Sequence, residues 1–451
     1  MSNTLPANHV EAPPLEKQTT AGNYFVSNYP PFSFWKPEFV PELLATLECQ
    51  PGIAGRTVPH LGVYVHIPFC RKRCHFCYFK VYTDKDSTAI RNYIDAVLAE
   101  FEIYARKPAI AGRHPNFIYF GGGTPSYLSV DQLRYLTDGM KSMLPWDEAQ
   151  EVAFEAEPGT LTDHKLKAIR EMGVTRLSLG VENFDDHILE INGRAHHSKE
   201  ITRAFGYARE LGFPQINIDL IAGMVEETED NWRECVRKAI ELAPDSVTIY
   251  EMEIPFNTTI YKQMKAEGKL VAPVADWETK RRWVDYAFTE MEKAGYTVSS
   301  AYTVVKNPAK TKFIYRDRLW AGADLLSLGV ASFGHIGGTH YQNHHEFDAY
   351  LMRVKRGELP IYRALTPSQD ERYIREFILQ MKLGRVSRAY FASKFGQDPV
   401  VRFATGLQTL RDWGFLTVEG DTVRLNREGL LQVDRLLQEF FLPEHRNVRY
   451  V

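Results

Sequence analysis

Between residues 63 and 251, short apolar runs alternate with longer amphipathic stretches, and few folds accept that alternation. The runs cover residues 63–67, 117–120, 152–155, 176–180, 216–221 and 246–251. They are β-branched, aromatic and short, as strands of a parallel sheet covered on both faces should be. The stretches between them, 89–106, 129–143, 162–172, 198–211 and 229–242, carry apolar residues at helical spacing. Ser129 to Gln132 reads as a capping box opening one helix, and Gly212 after Leu211 as the stop of another. Six strand–helix units in series predict an α/β fold, a parallel sheet with its helices outside, closed into a full or partial (βα)6-type barrel. Chemistry in such a fold sits at the C-terminal ends of the strands.

The polar and glycine-rich motifs fall at those ends. They are His66-Ile67-Pro68-Phe69-Cys70, Gly121-Gly122-Gly123-Thr124-Pro125, the Glu155–Gly159 segment, Gly180-Val181-Glu182-Asn183, and the segment from Asp219 to Met224. The five cysteines are Cys49, Cys70, Cys74, Cys77 and Cys235, three of them within eight residues. A disulfide scaffold would need more cysteines, and paired ones, so a reducing compartment and a metal or redox site fit better. The spacing C-x3-C-x2-C lets three thiolates hold three corners of a [4Fe–4S] cubane. The fourth iron is then open to the amino and carboxylate groups of S-adenosylmethionine (SAM), whose one-electron reduction releases a 5′-deoxyadenosyl radical. Zinc is the alternative, and His66 and His75 flank the loop, but a zinc site wants four ligands and no second pair exists. Phe69, Phe76, Tyr78 and Phe79 surround the cysteines, where they would shield a cluster, stack on adenine or fill core. Glycines after the second strand allow close backbone approach and offer N–H groups to a ligand. Glu155, Glu182 and Asp219 end successive strands and suit ribose hydroxyls or an ammonium group, or else are solvated or capping acids. Arg194 suits a ligand carboxylate or a surface ion pair. The pairs His196-His197 and His344-His345 read as polar surface.

The remaining chain suggests an arm (1–60), a barrel with an extension (61–365) and a C-terminal domain (366–451). Residues 1–20 read as disordered, and the aromatic, proline-rich stretch 24–38 as an extended arm or a substrate lid. Helical stretches at 367–385 and 398–413, then a hairpin at 415–426 turning at Glu419-Gly420-Asp421, are winged-helix-like. That domain has no basic stripe and the net charge is −3, so no nucleic-acid partner is expected and the domain reads as packing or substrate-covering. No apolar run reaches membrane length and no secretory signal opens the chain, so the expectation is a cytoplasmic protein without a membrane.

The run Val63-Tyr64-Val65-His66-Ile67-Pro68-Phe69-Cys70, the three-cysteine loop, Gly121–Pro125 and Arg176–Phe184 together resemble the radical SAM family of oxygen-independent coproporphyrinogen III oxidases, over roughly residues 60 to 445. The resemblance implies Cys70, Cys74 and Cys77 as cluster ligands and two bound SAM molecules. Tyr64, Gly122 and Glu155 would contact the first, with Phe333 over it. Phe76, Gly123, Thr124, Glu182, Arg194 and Asp219 would line the second. It implies a small-molecule substrate of tetrapyrrole type, an electron donor such as flavodoxin or ferredoxin, and a monomer. The expected reaction is oxidative decarboxylation of a porphyrinogen-type substrate. Two positions depart from the oxidases: Phe79 stands where they carry a further cysteine, and Glu182 where they typically carry Gln. Related haem chaperones share the Phe at position 79, but residues 341–347 lack the Tyr-Trp pair of their HNxxYW motif. The first departure is shared with class C radical methyltransferases and cyclopropanases, which use a second SAM as carbon donor. Methyl transfer and a non-enzymatic haem chaperone are therefore the alternative readings.

Overall fold

The computed structural model describes residues 22–51, 58–269, 273–446 and 448, so the reading of 1–20 as disordered lies outside the described residues. Strands β1 (Leu61–Ile67), β2 (Phe117–Gly122), β3 (Glu151–Ala156), β4 (Arg176–Glu182), β5 (Gln215–Ala222) and β6 (Ser246–Glu251) pair in parallel in chain order. The helices Ser87–Ala105, Val130–Met143, Asp163–Glu171, Ser198–Glu210 and Glu229–Leu242 connect them. Ser129 and Gln132 form the capping box, and Gly212 ends its helix at φ +67°. Six further strands extend the sheet: β7 (Thr297–Ser300), β8 (Thr303–Val305), β9 (Asp324–Leu328), β10 (Phe333–Ile336), β11 (Thr339–Asn343) and β12 (Ile361–Leu365). The order is β12-β11-β10-β9-β1-β2-β3-β4-β5-β6-β8-β7, with β9 parallel to β1. Seven neighbouring parallel strands curve into a partial barrel whose sheet ends at β12 and β7.

The two faces of the parallel strands differ. Val63, Val65, Ile67, Phe120, Phe154, Leu177, Leu179, Ile216, Ile218, Val247 and Ile249 belong to the main core, together with the apolar faces of the helices. The alternate positions are largely polar: Tyr64 and His66, Tyr119, Glu155, Arg176, Ser178 and Glu182, Asn217 and Asp219, Thr248 and Tyr250. The strands were expected to be covered by apolar contacts on both faces. Only the helix-facing side is, because the inner side lines a polar channel. One end of that channel is plugged by the helix Ile314–Trp320, whose first amides, Ile314 N–H and Tyr315 N–H, donate to the Glu151 carboxylate at 3.0 Å. The Arg176 guanidinium lies 4.4 Å over the Phe313 ring beside it.

The C-terminal region places the helix Gln369–Met381 before a three-stranded sheet of β13 (Arg385–Ser387), β14 (Leu416–Glu419) and β15 (Thr422–Leu425), in the order β13-β15-β14. Between β13 and β14 lie the helices Arg388–Phe395, Pro399–Arg402 and Ala404–Asp412. The first helix stops before 385 because Gly384 adopts φ +75°. β13 and Arg388–Phe395 escaped the sequence reading. A three-residue strand shows no alternation, and that helix buries only Phe391, so it has no apolar stripe. A second core joins Phe377, Phe391, Phe415 and Phe440 to Val26 and Tyr29 of the arm and to Ala301 and Trp320. The arm runs from Asn23, bonded to Glu251 and to the Leu431 carbonyl, to Lys36, whose backbone pairs with Ala364 of β12. It therefore straps the open side of the barrel between β6 and β12.

Candidate active site

The cysteine loop follows β1 and is held from three sides. Cys70 N–H donates to Tyr82 O, His75 N–H to Asn192 O, and Ile260 N–H to His75 O. Cys70 is buried and Cys74 and Cys77 are half-buried. Thr124 Oγ1 donates to Cys70 Sγ at 3.3 Å, and Arg194 Nη1 to Cys74 Sγ at 3.3 Å. Burial, followed by the neighbouring Cys74, pushes the Cys70 thiol up to about 11 despite the Thr124 bond, and pushes Cys77 up to about 12. The burial that holds the Cys70 and Cys77 thiols against ionisation is what an iron–sulfur cluster would offset, since its irons supply positive charge. Gly123 packs so closely that a Cβ there would lie 2.9 Å from Ile67 O and 3.0 Å from Cys70 Sγ. Among the described residues no three His, Cys, Asp or Glu side chains gather around a single ion; a cubane instead takes its ligands at separate corners.

Beyond the loop, three carboxyls end adjacent strands. Glu155 accepts from Tyr119 OH at 2.5 Å and from Gly122 N–H at 3.1 Å. Gly122 has φ +111°, a conformation closed to L side chains, and a Cβ there would strike the His66 ring. Asp219 accepts from Ser178 Oγ and Asn217 Nδ2, both at 3.0 Å. Glu182 sits in the left-handed region at φ +63°, beside a register shift against β5 that re-aims its side chain. Burial raises Glu155 and Glu182 to about 7 and Asp219 to about 6; the charge of Asp219 adds to the rise at Glu155 and Glu182, while hydrogen bonds from Ser178 and Asn217 and the guanidiniums of Arg176 and Arg194 hold Asp219 back. Arg194 Nη1 lies 3.5 Å from Glu182, and Nη2 donates to Gly180 O at 2.7 Å. Arg194 Nε and His66 Nε2 are buried polar atoms without a protein partner. Carboxyls with too little cation among them and unpaired donors nearby fit a ligand that carries cationic, carboxylate and hydroxyl groups, as SAM does.

The structure brings together Cys70, Cys74, Gly123, Thr124, Glu182 and Arg194 on one side, and Tyr64, Gly122, Glu155 and Asp219 along the adjoining wall. Tyr64 stacks at 5.9 Å on Tyr119, and its hydroxyl is 3.1 Å from His66 Nδ1. Phe76 points elsewhere, into a small cluster with Ile188, Ile221, Met224 and Met252. Phe333 starts β10, and its carbonyl accepts from Ser327, the residue paired with Tyr64 across β9 and β1. Its ring is 37% exposed and meets Phe32 at 4.5 Å, so the arm reaches the same rim. His196 is not surface. It is buried, its Nε2 is 3.3 Å from Val181 O and its Nδ1 is 3.2 Å from Glu157, because β4 and the segment around Gly159 close over it. Sequence reasoning missed Tyr119, Asn217, Ser178, Tyr250 and Glu157. The signal for the first four was the two-residue period of polar residues on the inner face. Tyr250, Tyr78 and Phe79 remain 46, 41 and 44% exposed around the opening.

The radical SAM superfamily matches residues 64–239. The chain is 31% identical over 378 residues to the protein named heme chaperone HemW of Bacillus subtilis, covering 82% of this chain and 96% of that one. It is 24% identical over 463 residues to the oxygen-independent coproporphyrinogen III oxidase of Synechocystis sp., covering 98% and 96%. The structure of coproporphyrinogen III oxidase (HemN) from Escherichia coli superposes with a TM-score of 0.78 at 24% identity, over 92% of this chain and 96% of that one. No helix among the described residues is long and apolar enough to cross a membrane.

Proposed function

The chain belongs to the radical SAM superfamily, in the HemN-like family that unites oxygen-independent coproporphyrinogen III oxidases and HemW, and from that premise we propose that it is an enzyme acting on a porphyrinogen-type substrate by oxidative decarboxylation. When bound at Cys70, Cys74 and Cys77, the cluster supplies the electron that cleaves SAM to methionine and a 5′-deoxyadenosyl radical. An external one-electron carrier of flavodoxin or ferredoxin type provides that electron.

The observation that carries the enzymatic reading is the inner wall of the barrel. Glu155, Glu182 and Asp219 stand recessed on adjacent strands, with the Arg194 guanidinium beside Glu182 and that of Arg176 toward Asp219. A wall that only supported the fold would not gather three carboxyls whose titration burial lifts to about 6 to 7. Their partners fix them for ligand contact. Tyr119 and the Gly122 amide orient Glu155, Ser178 and Asn217 orient Asp219, and backbone geometry orients Glu182. As the resemblance implies, Glu155 and Tyr64 would contact one SAM, and Glu182, Asp219 and Arg194 a second. The half-exposed rings of Tyr78, Phe79, Tyr250 and Phe333 border the opening and suit a flat, unsaturated substrate.

One observation favours a second reading. Phe79, exposed beside Cys77, stands where the resemblance puts a reactive cysteine, and its ring cannot supply a proton or a thiol hydrogen. Methyl transfer from the second pocket's SAM needs no such thiol. The experiment is an anaerobic assay of reconstituted protein with SAM, a reductant and coproporphyrinogen III, with products separated by mass. Vinyl-bearing product together with 5′-deoxyadenosine supports the oxidase. S-adenosylhomocysteine or methylthioadenosine alongside 5′-deoxyadenosine selects the methyl-transfer reading. Stoichiometric haem binding without SAM cleavage overturns both in favour of a chaperone. Cys74→Ala should abolish the cluster absorbance, and full iron content in that variant would refute the ligand set.

A further inference from the structure

The three cluster-loop cysteines are not equivalent. Cys70 receives a neutral hydroxyl donor, Thr124 Oγ1, at 3.3 Å. Cys74 receives a charged one, Arg194 Nη1, at 3.3 Å. The polar neighbour of Cys77 Sγ is the Phe79 carbonyl at 4.0 Å, which cannot donate, and Arg73 gives its Nη2 hydrogen to Cys77 O rather than to the sulfur. Arg194 is also held rigidly. Its Nη2 is tied to Gly180 O at 2.7 Å, its backbone N–H to Leu189 O at 2.9 Å, and Glu182 lies 3.5 Å away. Glu182 keeps a left-handed backbone at φ +63° to stay there.

Adding an electron to an iron–sulfur cluster adds a negative charge shared with its thiolate ligands. A hydrogen bond or cation at a ligand sulfur therefore stabilises the reduced form more than the oxidised one and raises the potential. We propose that Arg194, besides facing the Glu182–Asp219 pocket, tunes the cluster's reduction potential through its bond to the Cys74 sulfur, with Glu182 as the counter-charge that limits the effect. This rests on the reading of the loop as a cluster site. In this role Arg194 acts through Cys74 as a tuning residue, separately from its place toward the second SAM. The two partners have opposite signs. Removing the guanidinium makes reduction harder, and neutralising Glu182 leaves the guanidinium opposed only by the more weakly coupled Glu157 and makes reduction easier.

The test is a potentiometric titration of the anaerobically reconstituted full-length protein without SAM, following visible absorbance and the electron paramagnetic resonance of the reduced cluster. At the wild-type midpoint, the reduced-to-oxidised ratio should fall about tenfold in Arg194→Gln, equivalent to ~59 mV for one electron. Arg194→Lys, which keeps the charge but loses the planar fork, should fall between the two. Glu182→Gln should move the ratio the other way. An unchanged midpoint in Arg194→Gln at full iron content overturns the proposal, and so does a shift of the same sign in Arg194→Gln and Glu182→Gln. Should Arg194→Gln fail to hold iron, the opposed signs of Arg194→Lys and Glu182→Gln decide it. A wild-type protein that forms no cluster refutes the cluster reading itself, a separate result.

Discussion

The inner and outer faces of β1–β6 are built from the same strands, and their contrast separates what folds this chain from what it does. On the outer face Leu177, Leu179, Ile216, Ile218 and Val247 are fully buried against helices. Each fills space, and its loss is felt as stability. On the inner face Glu155, Glu182 and Asp219 are recessed without enough cation to balance them. Their raised pKa values predict stability withdrawn as pH rises through about 6 to 7, and a cationic ligand is expected to return it. The same strand period thus alternates residues that pack with residues that wait for a partner.

The contrast breaks first under a large outer-face change. Ile218→Ala should destabilise by about 2–5 kcal/mol in chemical denaturation, while the folded fraction binds SAM as wild type does; a matching loss of SAM affinity would erase the distinction between faces. An inner-face change should do the reverse. Glu155→Gln should leave the midpoint of thermal unfolding near wild type but weaken SAM binding to the reconstituted protein by about tenfold or more, the value of one charged hydrogen bond. Acidity sharpens the comparison further. Burial favours the protonated carboxyls, so they contribute stability in acid and withdraw it as pH rises from the ordinary carboxylate range through about 6 to 7. A cationic ligand needs them ionised. SAM affinity and its stabilising effect should therefore grow between pH 6 and pH 8, and calorimetric titrations showing a flat response would count against these carboxyls as its contacts. The smallest effect is expected from Tyr119→Phe. Its hydroxyl lowers the Glu155 pKa through their hydrogen bond, so the midpoint of that pH dependence should move upward by a fraction of a unit.

The strand–helix alternation, the capping box at Ser129 and the stop at Gly212 were legible because each is a local signal read within one or two turns of chain. The cysteine loop was legible for the same reason. The charge balance of the inner wall was not, because it depends on register. Glu182 reaches its place through a bulge against β5, and Arg194 meets Cys74 only after the chain has gone from the β1 loop past β4 and the short helix Asp186–Ile191, 120 residues apart in sequence. His196 was misread as surface because nothing local reveals that Glu157 and Val181 close over it. The arm was legible as aromatic and extended, but not its anchors. Those are Glu251, Glu253, His340 and Arg363 on the barrel side and Asp434, Lys382 and His445 on the C-terminal side.

Those anchors impose an order in time. Val26 N–H donates to the Asp434 carboxylate, a partner 408 residues later in the chain. At ribosomal rates of 5–20 residues per second, roughly 20 to 80 s separate the synthesis of the two. Through that interval the strap and its aromatic rings have no C-terminal partner, while β1 to β6 and their helices can already dock. The strap beside Phe333 can thus be pinned at its C-terminal side only after residue 434 has been made, by which time Asn192 and Ile260, which hold the cysteine loop, are long since present.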